Sequence, residues 1–89
     1  VERKEEESVS AELERLSQEF EELKLQKETV EAQVKKLMAE EDPAQGVYYA
    51  QDIFRLQQDK LRLATEMEFR RRKQNRLRLA EEEKAFLMH

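Results

Sequence analysis

The chain has 89 residues, 43% of them charged and 38% hydrophobic, with one glycine, one proline, no cysteine and no tryptophan. Its net charge is −4 at pH 7. Such a composition excludes disulfides and thiolate metal sites, leaves too few apolar residues for a globular core, and points to long helices or coiled coil.

The charge is unevenly spread. Residues 1–41 carry 13 acids and 7 bases, a net of −6; residues 42–69 carry 5 and 3, a net of −2; residues 70–89 carry 3 and 7, a net of +4. The opening "VERKEEES" has no apolar run after it, so it does not read as a signal peptide. No apolar run is long enough to span a bilayer. With no cysteines this suggests a reducing compartment, and an intracellular, cytoplasmic location is expected.

The first segment, 1–41, has the clearest pattern. Val9, Leu13, Leu16, Phe20, Leu23, Lys27, Val30, Val34 and Leu37 alternate at spacings of four and three, and only Lys27 is not apolar. A narrow stripe of this period is a coiled-coil seam. Lys27 in that stripe costs stability and disfavours higher oligomers, because its ammonium must reach out of the seam to water. Ser8 or Ser10 is a candidate cap for the helix start.

Residues 42–46 break the pattern. Asp42-Pro43-Ala44-Gln45 has the form of a helix start, with Asp as N-cap, Pro in the first turn and Gln reaching back. Pro43 cannot continue a preceding helix, and it pushes Asp42 out of the α region. The first helix should therefore end near Glu41 and a second begin near Pro43. Gly46 offers an alternative: at positive φ it turns 42–46 into the loop of an αα-hairpin.

The second segment, 47–89, carries the same rhythm through Tyr49, Ile53, Leu56, Lys60, Leu63, Met67, Arg70, Gln74, Leu77, Glu81, Lys84 and Met88. It degrades after Met67. A second apolar line, Val47, Ala50, Phe54, Leu61 and Ala64, runs beside it. The two seams are out of phase across the break by an offset that neither a stutter nor a stammer supplies, so a smooth continuous supercoil is not expected.

Two all-α architectures satisfy this pattern. In a parallel, broken coiled-coil homodimer, Val9, Leu13, Leu16, Phe20, Leu23, Val30, Val34, Leu37, Ile53, Leu56, Leu63 and Met67 meet their counterparts on a second chain. In an antiparallel hairpin, residue i lies near residue 88 − i. The hairpin matches the acidic stretch 12–22 with the basic stretch 66–76. It also sets Glu5–Glu7 against Glu81–Glu83, and Leu13, Leu16 and Phe20 against Glu68, Arg70–Arg72, Gln74 and Asn75. Apolar burial is worth about 25 cal/mol per Å² and an exposed ion pair only about 0–1 kcal/mol. On that comparison the sequence favours the parallel dimer.

Nothing in the sequence carries catalysis or calls for a cofactor. The sole histidine, His89, is terminal and reads as a disordered end. There is no Gly-rich phosphate loop and no recognisable nucleophile–base spacing. Two surface features remain. Val47, Tyr48, Phe54 and Leu61 are candidate partner-binding residues, since aromatic and large apolar side chains anchor interfaces. Arg70, Arg71, Arg72, Lys73, Arg76 and Arg78 form a basic run suited to a solvated helix face or to phosphates of nucleic acid or acidic lipid. The expected function is that of a dimerising, protein-binding module within a larger scaffold or adaptor of cytoskeletal or membrane-traffic type. Its expected partners are a second copy and a helical protein docking on the 47–67 face. The alternative is an anionic-surface binder acting through 70–78.

Overall fold

A stripe of apolar residues recurring every three to four positions, with almost no Gly or Pro, leaves helix as the one conformation that buries the stripe and pairs every backbone group. The computed structural model describes residues 2–88, with side chains from Ser8 onward. It consists of two long helices, α1 (Glu2–Glu40) and α2 (Ala50–Leu87), joined by a short turn and packed against each other as an extended antiparallel hairpin. A single rod of this chain would be about 130 Å long at 1.5 Å per residue. The molecule measures 71 × 17 × 14 Å.

The turn is built on three local features. Asp42 has φ −132° and ψ 89°, outside the α region as a residue before proline requires. Pro43–Gln45 then form one turn of 3-10 helix, which Gly46 ends in the left-handed conformation at φ 72°. Around this turn, the Asp42 and Val47 backbones exchange two hydrogen bonds of 2.9 Å, and Gln45 N–H also donates to the Asp42 carbonyl. The expected second helix does begin to wind at Pro43, but it is stopped after three residues, and α2 starts at Ala50. Asp42 acts through its backbone and makes no side-chain cap. Of the two conformations open to Gly46, the left-handed one is adopted, and it reverses the chain.

Both seams read from the sequence face inward. All nine stripe positions from Val9 to Leu37 are at least partly covered, and so are those from Tyr49 to Lys84, while Met88 is exposed. Leu16, Val34 and Leu63 are the buried apolar side chains among the described residues, with Leu63 only 2% exposed. The favoured topology, a broken parallel dimer, is therefore corrected: the twelve residues expected to meet a second chain line the interface between the two helices of one chain. The phase offset follows naturally. In a hairpin each helix turns its own stripe inward and the loop absorbs the difference, so no common register is needed.

The apolar mismatch that argued against the hairpin is resolved at the level of atoms. Leu16 is 3% exposed although it faces the arginine run. It shares a small cavity with Arg15, Glu19, Phe69, Arg70 and Lys73. Arginine and lysine carry three or four methylenes before their charge, and these stems cover apolar surface while the head stays wet. Counting Arg70 and Lys73 as wholly polar therefore underestimates what they bury. Gln74 does the same as an amide: it is buried, and its Nε2 donates to the Leu13 carbonyl at 3.5 Å. Ser8 and Ser10 lie within α1 and do not cap it. The expectations for His89 and for the side chains of Glu5–Glu7 lie outside the described residues.

Candidate functional site

Ion pairs across the hairpin mark its register. Arg70 Nε lies 3.3 Å from Glu19 Oε1, and Lys73 Nζ lies 3.0 Å from Glu12 Oε1. Nearer the turn, Lys27 and Lys60 reach the same oxygen of Glu31, at 3.3 and 3.7 Å. Lys27 and Lys60 are both seam residues, and each carries its ammonium out to one shared carboxylate. Lys73 holds the Glu12 carboxyl below the usual carboxylate range by hydrogen bond and charge, with Arg15 adding a smaller effect. Hydrogen bonding to Glu66, and secondarily to Glu19, holds the Arg70 guanidinium still more firmly charged.

These contacts occupy much of the basic run. Arg70 is bound by Glu66 and Glu19, Lys73 by Glu12, and Arg71 and Arg72 by Glu68. Arg76 and Arg78 are exposed and make no ion pair among the described residues. The six basic residues thus form no single cationic face. They split between a cross-helix clamp and an outer helix surface.

The candidate partner-binding residues fall elsewhere. Tyr48, Phe54 and Leu61 are exposed and Val47 is half-buried at the turn. Phe54 is 65% exposed and Leu61 62%. Phe69, at 63%, continues their line, and Leu79 and Phe86 extend it. At 3.6 residues per turn, Phe54, Leu61, Phe69, Leu79 and Phe86 fall within an arc of about 100°. That arc is centred directly opposite Leu63, the most buried residue of α2. Two shallow grooves lie along it, one with Phe54 among Arg55, Gln58 and Asp59, the other with Leu61 and Phe69 beside Glu68 and Arg72. Phe69, Leu79 and Phe86 were not among the expected partner residues. The seven-residue step from Phe54 to Leu61 was legible, but it points next to Glu68, and only the drift of a 3.6-residue helix brings Phe69 onto the same side.

Among the described residues no group of three or more His, Cys, Asp or Glu side chains is arranged to hold a metal ion, and no helix is long and apolar enough to cross a membrane. The feature that stands out is a set of exposed apolar side chains, Phe54, Leu61, Phe69, Leu79 and Phe86, spaced along α2 with charged and polar residues between them. Comparison with protein-family models, curated proteins and solved structures finds no match to this chain.

Proposed function

We propose that this chain is a non-catalytic protein-interaction module: a stiff helical hairpin that presents the outer face of α2 to another helix, within a larger intracellular scaffold or adaptor. The observation that carries this reading is the alignment of Phe54, Leu61 and Phe69, each more than 60% exposed, on one face of a helix whose other face is packed. A scattered apolar residue on a surface needs no explanation, whereas large apolar side chains recurring on one side of a helix whose other side is packed favour a contact surface. An amphipathic helix with a second apolar stripe can pack between two neighbours, as helices in bundles do. A phosphate-binding role has less support, because Arg70 and Lys73 are held across the hairpin by Glu19 and Glu12 and the basic run forms no single cationic face.

The test is a photo-reactive amino acid placed at Leu61. Crosslinks to another polypeptide chain are the expected result. Labelling confined to solvent, with no interchain product, would end the reading.

A further inference from the structure

The outer face of α2 is complementary to itself when reversed. Phe54 and Phe86 lie equally far from Arg70 along the helix, and so do Leu61 and Leu79. Glu68 and Arg72 flank the same midpoint, as do Thr65 and Asn75. We propose that two copies of this hairpin associate through these faces as an antiparallel, two-fold symmetric dimer centred at the level of Arg70. The proposal rests on the reading of this face as a docking ridge and names its occupant as a second copy of the chain.

In this arrangement Phe54 packs on Phe86 of the second copy and Leu61 on Leu79, and by symmetry each pair occurs twice. At the centre Glu68 and Arg72, 3.4 Å apart within each chain, face the same pair of the second copy in reverse order, so each carboxylate shares a guanidinium across the axis as well as along its own helix. A parallel, in-register pairing would instead stack Arg72 on Arg72, Glu68 on Glu68 and Glu82 on Glu82, and like charges directly opposed are unfavourable. Charge thus selects the antiparallel direction and the apolar residues fix the register. Because Phe54, Leu61, Leu79 and Phe86 lie on the exposed side of α2, two hairpins meet through them without disturbing either hairpin's own helix–helix interface. The association also relieves a thin core: among the described residues only Leu16, Val34 and Leu63 are buried apolar side chains, and small folds of this kind commonly draw on oligomerisation for stability.

The chain has no cysteines, so paired thiols report the geometry directly. Chains carrying Leu61→Cys and chains carrying Leu79→Cys are mixed in a glutathione redox buffer. The expected product is a disulfide between the two kinds of chain, with little from either alone, since position 61 lies about 27 Å along the axis from position 61 of the second copy. Sedimentation equilibrium of the unmodified chain should give twice the 10.7 kDa monomer mass. A second arm mixes Glu68→Arg chains with Arg72→Glu chains: each alone should lose dimerisation, and the mixture should regain it. A disulfide formed by Leu61→Cys chains alone would overturn the antiparallel register. A monomer that photo-crosslinks through Leu61 to a different protein would overturn the second copy as occupant while leaving the docking reading standing. A monomer with no crosslink would overturn both.

Discussion

Arg70 and Glu19 are 51 positions apart in the chain, yet the guanidinium Nε of one lies 3.3 Å from a carboxylate oxygen of the other. The same arginine joins Glu66 one turn back on its own helix. Arg70 sits where the seam rhythm demands a core residue, and it meets that demand with its stem while its head ties the two helices together. Replacing it separates the two roles. Arg70→Ala should destabilise the hairpin by about 1–2 kcal/mol, through lost cover over Leu16 and a lost pair. Arg70→Met should cost less than half as much, because the stem remains. Equal losses in urea unfolding would show that charge alone matters.

Spin labels at Ser10 and Leu79, in a sample diluted with unlabelled chain, should lie within about 20–25 Å of each other. The hairpin's cross-section is 17 × 14 Å, and the two positions lie at about the same level on its two helices. A rod would separate them by about 100 Å at 1.5 Å per residue. Pulsed electron resonance distinguishes the two without ambiguity.

Gly46→Ala should lower stability by about 1–2 kcal/mol, the cost of a left-handed conformation for an L-residue. A Cβ at this position would meet nothing within 4 Å, so the loss is conformational and not steric. Gly46→Asn should cost less, since Asn visits this region more readily. For a chain of this size, each kcal/mol moves the melting temperature by roughly 4–8 °C. Equal melting of all three proteins would show that the turn does not depend on φ at Gly46.

Acidification should weaken the far half of the hairpin. The Glu12 carboxyl titrates below its ordinary range because Lys73, chiefly through its hydrogen bond, favours the charged form. A group that binds its proton less tightly when folded adds stability above its unfolded pKa and loses it as pH falls through the folded one. The contribution should thus be complete near neutral pH and fade below about pH 4. Glu12→Gln should flatten that part of the stability–pH curve, and high salt should flatten it further, because the pair is solvent-accessible. An unchanged curve would show that the pair does not contribute.

Both helices and their inward faces were legible in the sequence, because a stripe every three to four residues has only one way to be buried. The location of the break was legible as well, from Asp42, Pro43 and Gly46. The topology was not. Whether the stripe of Val9 to Leu37 meets its own copy or the stripe of Tyr49 to Lys84 depends on how well Arg70, Lys73 and Gln74 cover Leu13 and Leu16. Residue type ranks those three as polar, whereas their methylenes pack as apolar surface. The charge match between 12–22 and 66–76 pointed to the hairpin, and taken alone it was too weak to decide.

The sequence by itself determined that this chain is helical, amphipathic and interrupted once. Periodicity and composition act locally, residue by residue, and they need no partner to be read. Tertiary structure alone decided which stripe faces which, that Gly46 turns the chain back, and therefore which side of α2 is left uncovered. Those outcomes depend on contacts between residues tens of positions apart, which no local pattern records.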